Sequence, residues 1–158
     1  MDNELIAIAD QTGQRLKSKG LMIVTAESCT GGWIAQVITE IAGSSAWFER
    51  GFVTYSNLSK TEMLGVKNET LETYGAVSAQ TAIEMVNGAL IHSIADCAIA
   101  VTGIAGPDGG SAEKPVGTVF IAWTYKNQPS KVIKKQFNGS RHEIRIQTVK
   151  AALQGLTI

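Results

Sequence analysis

Ser28 stands in the run Thr25-Ala26-Glu27-Ser28-Cys29-Thr30-Gly31-Gly32, where a short apolar stretch gives way to glycines and then to a helical pattern. A serine at such a junction has two uses. It can cap the following helix, with Gly31 and Gly32 permitting a tight turn. Alternatively it attacks a carbonyl, with amides at the helix start stabilising an oxyanion or a bound anion. A serine nucleophile needs a base, because a free hydroxyl attacks poorly near neutral pH. The chain holds two histidines, His92 near the end of one helical stretch and His142 in the first turn of another. The other option is lysine, and Tyr55-Ser56-Asn57-Leu58-Ser59-Lys60 brings one just past a strand-like run. A lysine serves if desolvation or nearby cations lower its pKa. On spacing alone Lys60 reads as an exposed helical lysine.

A second junction lies at residues 103–110, Gly103-Ile104-Ala105-Gly106-Pro107-Asp108-Gly109-Gly110. It has neither the Walker A ending nor the dinucleotide fingerprint. Its glycines allow backbone to approach a phosphate or ribose closely, and equally allow a long exposed loop. Lys114 closes this loop, either reaching an anion or solvated. Arg141 and Arg145 lie one turn apart near the start of the last helical stretch, where a guanidinium can grip phosphate or carboxylate in a bidentate way. Cys29 is either a thiol at a helix start or a small buried residue. Lys131, Lys134 and Lys135 read as a solvated strand face that discourages edge pairing. Glu27, His92 and His142 lack metal-ligand spacing, so no metal is expected.

These residues need a scaffold, and the hydrophobic pattern supplies one. Leu5, Ile8, Ala9, Thr12 and Leu16 recur at helical spacing over residues 3–19. Apolar runs at 21–26 and 97–102 predict strands buried on both faces, and 51–55 predicts another. Helices are expected after Gly32, over 59–64, over 79–91 behind a Ser78 cap, and after Ser140, where Ser140 and Glu143 form a capping box. Segments 117–124 and 131–137 predict an antiparallel hairpin. The order implies an α/β protein: one three-layer α/β/α domain over residues 1–158, with a mixed, mostly parallel sheet. Lys plus Arg and Asp plus Glu are both 14, a balance that argues against a nucleic-acid partner. No apolar run approaches the roughly 20 residues that span a bilayer. Two cysteines make no disulfide framework, and a cytoplasmic protein is expected.

Read together, these segments carry a resemblance. TAESCTGG (25–32), VTYSN (53–57), GAVS (75–78), VTGIAGPDGG (101–110), KPVGTV (114–119) and the ending around Gly139-Ser140-Arg141 match one family in order. The chain resembles the CinA C-terminal-domain family, and within it the stand-alone nicotinamide-nucleotide amidases, without the molybdopterin-binding-like domain of the long CinA proteins. The resemblance implies hydrolysis of nicotinamide mononucleotide to nicotinate mononucleotide and ammonia in bacterial pyridine-nucleotide recycling, with no cofactor. It also implies Ser28 as nucleophile, Lys60 as general base, Tyr55 assisting proton transfer or positioning, and Arg141 binding the anionic part of the substrate. Thr30, Gly31, Gly32, Thr102, Gly103 and Gly106 would line the site, and helix-start amides after Ser28 would hold the oxyanion. Family members commonly carry Gly-Asp-Arg where this chain has Gly139-Ser140-Arg141. Serine caps a helix about as well, but Arg141 loses an acidic neighbour. A homo-oligomer, in the simplest case a dimer, is expected. Two other classes stand beside the amidase: a non-catalytic nucleotide-binding module, and a hydrolase of another amide or a phosphate ester.

Overall fold

Alternation along the strands sorts the side chains into two layers. In the computed structural model, which describes residues 2–158, β1 (Ile23–Glu27) is buried at every position. Outside it in the sheet lies β2 (Phe48–Val53), and inside it β3 (Cys97–Gly103), followed by β4 (Thr118–Tyr125) and β5 (Lys131–Gln136), in the order β2-β1-β3-β4-β5. β1 pairs in parallel with β2 and β3, whereas β3–β4 and β4–β5 are antiparallel. Only β4 therefore runs against the others, the mixed sheet expected from the sequence.

The helices are α1 (Asn3–Ser18), α2 (Trp33–Thr39), α3 (Asn57–Leu64), α4 (Asn68–Tyr74), α5 (Ala79–Ile91) and α6 (Arg141–Gln154). Ile23, Cys97, Ile99, Val101, Ile121 and Trp123 project to one face, where they pack with Leu5 and Leu16 of α1, Ile34 and Ile38 of α2 and Ile144 and Leu153 of α6. The opposite face presents smaller groups, Val24, Ala26, Ala98, Ala100 and Ala122, to Met85, Val86 and Ala89 of α5 and Leu64 of α3. Small strand residues let α5 lie close, and the same economy of space recurs between helices. A Cβ on Gly88 would sit 1.9 Å from the Leu64 carbonyl oxygen, so α5 needs glycine where the end of α3 crosses it.

Sequence signals for helix starts hold where a side chain makes the cap. Ser78 accepts from the Thr81 amide, and Ser140 and Glu143 form the reciprocal capping box of α6. Two elements differ from the sequence reading. β2 begins at Phe48 rather than residue 51, because an edge strand tolerates the charged pair Glu49–Arg50, whose side chains meet at 2.6 Å. α4 has no signal in the sequence: its N-cap Lys67 makes no side-chain cap and Thr70 is its buried residue, so it offers neither a cap nor an apolar stripe. No helix among the described residues is long and apolar enough to cross a membrane.

The sheet order locates the crevice. From β1 the chain runs outward to β2, then crosses back past β1 to β3. Glu27 is level with both Val53 and Val101, so β1 and β2 end side by side while β3 runs two residues further, to Gly103. Open α/β sheets gather ligands at the carboxyl ends of strands beside such a switch in direction.

Candidate active site

Ser28 is the first residue beyond β1, and the Thr54 amide donates to the Glu27 carbonyl at 2.8 Å, carrying the β1–β2 ladder one residue past the strands. Two residues on, Ser56 caps α3 by accepting from the Ser59 amide at 3.1 Å. That start aims Lys60 back across the strand ends. Its Nζ lies 3.0 Å from Ser28 Oγ, 2.8 Å from the Thr54 carbonyl oxygen and 3.0 Å from that of Tyr55. The lysine is 1% exposed, so the structure places it in the interior rather than on a solvated helix face.

Burial without an anion decides its protonation. No carboxylate pairs with Lys60 among the described residues. Desolvation pulls its pKa below the ordinary lysine value of 10.5. As an ammonium, Lys60 would donate to all three oxygens. As a neutral amine it has two N–H groups, matched by the two carbonyls, and its lone pair then faces the Ser28 hydroxyl. The arrangement thus accommodates either form and orients the base in the neutral one.

α2 begins at Trp33, after Gly32 as the sequence predicts, and its N-cap Gly32 makes no side-chain cap. Ser28 is therefore not the helix cap. That task falls to Glu27, 1% exposed, whose carboxylate accepts from the Ile34 amide at 2.8 Å, the Ala35 amide at 3.0 Å and the Thr30 hydroxyl at 2.6 Å. Burial raises the Glu27 pKa while these donors oppose the rise. The expected oxyanion donors at the helix start are thus already bound to Glu27. From the other side Arg145 donates to the carbonyls of Cys29 and Thr30, each at 3.1 Å, and stacks over the Trp33 ring at 5.2 Å.

A cleft of about 260 Å³ opens over the pair, lined by Ser28, Cys29, Tyr55 and Lys60 on one side and by Thr102, Gly103, Gly106 and Asp108 on the other. Thr102 ties its wall to the preceding loop by donating to the Ala76 carbonyl at 2.8 Å. Gly106 has φ of 78°, and a Cβ there would meet Val116 at 2.4 Å, so the loop requires glycine. Arg141 closes the rim, donating to the Gly106 carbonyl at 2.6 Å and the Tyr55 hydroxyl at 3.1 Å. It keeps this anchorage with Ser140 beside it, because Ser140 is engaged in the cap. Tyr55 thus meets Lys60 through its main-chain carbonyl, while its side chain, 61% exposed, stands at the rim.

Not every expected residue faces the cleft. Thr30, Gly31 and Gly32 lie outside its lining: the Thr30 side chain turns inward to Glu27, and Gly31 backs onto Arg145. His92 bonds the Gly88 carbonyl and His142 packs on Trp33, so neither histidine reaches Ser28. Lys114 donates to the Tyr74 carbonyl at 2.7 Å. Cys29 is buried, with its thiol pushed up to about 11 by desolvation. The sequence reading missed Glu27 and Arg145 as supports and Asp108 in the lining. The four-residue spacing from Arg141 was the available signal for Arg145, since it puts both on one face of a helix.

Comparison with known proteins adds a third line of observation. Residues 5–158 match the sequence pattern of the CinA C-terminal domain. The chain is 54% identical over 155 residues to a nicotinamide-nucleotide amidohydrolase PncC of Escherichia coli, covering 98% of this chain and 94% of that one. A protein of the same name from Pseudomonas putida is 50% identical over 154 residues, covering 96% and 94%. Among solved structures, competence/damage inducible protein CihA from Agrobacterium tumefaciens aligns with a TM-score of 0.96 at 51% identity, over 98% of this chain and 94% of that one. The competence damage-inducible protein A of Klebsiella pneumoniae aligns at 0.92 and 36% identity, over 96% and 93%.

Proposed function

The chain belongs to the CinA C-terminal domain family, and on that premise we propose that it hydrolyses the carboxamide of nicotinamide mononucleotide to nicotinate mononucleotide and ammonia. The observation that carries the proposal is Lys60 Nζ, buried and without a carboxylate, 3.0 Å from Ser28 Oγ at the floor of a cleft. The relatives named above as nicotinamide-nucleotide amidohydrolases supply the substrate. At about 260 Å³ the cleft is at the small end for ligand sites, suited to a ring and its carboxamide with the remaining nucleotide at the rim.

In this reading neutral Lys60 takes the proton of Ser28 as the oxygen attacks the carboxamide carbon. The tetrahedral intermediate collapses, ammonia leaves with a proton returned by Lys60, and an ester joins Ser28 to the nicotinoyl group. Water, deprotonated by Lys60, then releases the acid. Tyr55 supports the base through its carbonyl and the rim through its hydroxyl. Arg141, with donors left over from Gly106 and Tyr55, meets the phosphate; Thr102, Gly103 and Gly106 shape the facing wall. The matching turn of Thr30, Gly31 and Gly32 acts from behind the site, holding Ser28 rather than touching substrate.

The reading also includes a cytoplasmic setting, in which the free thiols of Cys29 and Cys97 stay reduced. It further includes self-association of one domain spanning residues 1–158. Support comes from Val53, Tyr55, Leu58, Ile91 and Ile94, all large, apolar and exposed. Sedimentation at several concentrations tests that point. The decisive assay is ammonia release from nicotinamide mononucleotide by the wild type and by Ser28→Ala. Release by the wild type alone supports the reading, and equal release by both moves the chemistry off Ser28. No release, with nucleotide bound in calorimetry, makes the protein a binding module instead.

A further inference from the structure

With the helix-start amides bound to Glu27, an oxyanion formed at Ser28 needs another donor. The amides around the turn can be followed one by one. Ser28 donates to the Val101 carbonyl at 3.2 Å, Gly31 to the Ser28 carbonyl at 3.0 Å, and Trp33 to the Thr30 carbonyl at 3.1 Å. Ile34 and Ala35 donate to Glu27, and the Gly32 amide also acts on its carboxylate. The amides of Cys29 and Thr30 have no acceptor among the described residues. Of these two residues only Cys29 lines the cleft; Thr30 is 0% exposed. The Cys29 amide thus has no oxygen acceptor and belongs to a cleft-lining residue, the one after the nucleophile, where serine hydrolases of the strand–turn–helix type place an oxyanion donor.

Its orientation is fixed from both sides. The peptide unit carrying the Cys29 N–H has its Ser28 carbonyl tied to Gly31. The next two carbonyls, of Cys29 and Thr30, are held by the Nε and Nη2 of Arg145, whose guanidinium has no carboxylate partner among the described residues. Trp33 supports the guanidinium face at 5.2 Å. The fork gives each carbonyl its own nitrogen while its plane rests on the Trp33 ring, a combination the single nitrogen of lysine does not reproduce.

We infer that the Cys29 main-chain amide is the oxyanion donor and that Arg145 is a positioning residue that holds it there; this rests on the amidase reading above. Two readouts separate the inference from that reading. One is ammonia release from nicotinamide mononucleotide, resolved into kcat and KM. The other is the rate at which a sulfonyl fluoride labels Ser28, which uses the nucleophile and the oxyanion donor but no nucleotide. In Arg145→Met both kcat and the labelling rate should fall at least about tenfold, approaching the 10²–10³ loss of a whole donor, with KM within about twofold. Millimolar guanidinium should restore part of both rates in Arg145→Ala, and Arg145→Lys should stay impaired while folded. Both rates within twofold of wild type in Arg145→Lys and Arg145→Met, or a loss confined to KM, would overturn the inference. So would a wild type whose Ser28 is not labelled. A wild type that releases no ammonia but is labelled, with slower labelling in Arg145→Lys, would reject the substrate and keep Arg145 in its role.

Discussion

Replacing Lys60 by arginine tests the base directly, because it keeps hydrogen-bond donors near the Thr54 and Tyr55 carbonyls while removing the option of neutrality. A guanidinium has a pKa of about 12.5–13.8, against about 10.4 for lysine. At pH 8 an ordinary lysine is neutral in about 0.4% of molecules and an arginine in about 0.003% or fewer, a gap of at least about 10². Burial draws Lys60 below 10.5 and widens that gap. A positioned general base contributes about 10²–10⁴ in rate, so kcat should fall by that much in Lys60→Arg, and equally in the uncharged Lys60→Met. The assay is initial-rate ammonia release across pH. The neutral amine is the reactive form and is lost as pH falls, so wild-type log kcat/KM should rise with unit slope as pH climbs toward the depressed pKa of Lys60. That limb should vanish in both variants. An arginine variant within tenfold of wild type, or a limb that survives in Lys60→Met, would refute the assignment.

Three further outcomes follow from the packing. Glu27→Gln puts an NH₂ where the carboxylate now accepts only; at least one buried donor loses its partner, at about 1–3 kcal/mol, and the melting temperature should drop by several degrees. Gly88→Ala drives a methyl into the Leu64 carbonyl; a lower urea midpoint, by about 1–3 kcal/mol in stability, should accompany a lower kcat, because the displaced α3 carries Lys60. Iodoacetamide at pH 7.5 should leave Cys29 and Cys97 of the native protein unmodified over hours and alkylate both in urea, since burial pushes their thiols up to about 11 and about 12. Rapid alkylation of native Cys29 would show the turn to be more open than the hydrogen bonds around it allow.

What the sequence discloses about this site depends on how local the physics is. Caps made by Ser78 and Ser140 and the buried run of β3 are encoded within a few residues, and they read directly. Ser28 and Lys60 could each be named as chemical groups, but their meeting depends on β1 and β2 being parallel neighbours, which no local pattern states. Thr30, Gly31 and Gly32 belong to the right motif yet face away, because Thr30 bonds Glu27 and Gly31 adjoins Arg145. In the sequence Glu27 reads only as a metal-ligand candidate. A carboxylate inside a strand gives no hint that it will cap a helix beginning six residues later, since the turn that brings the two together is a tertiary product.

The level ending of β1 and β2 has a consequence for how folding errors would show themselves. β2 is an edge strand, held in the sheet by β1 alone, and the carbonyls that seat Lys60 follow directly from its last residue. A slip of one residue along that ladder would carry the seat about 3.3 Å and reverse which side chains face inward. Helix content and most of the core would survive, while the lone pair would no longer meet the hydroxyl. Specific activity therefore acts as a calliper on strand register, and a refolded preparation with native circular dichroism but little turnover would contain molecules whose outermost strand is seated one step out of line.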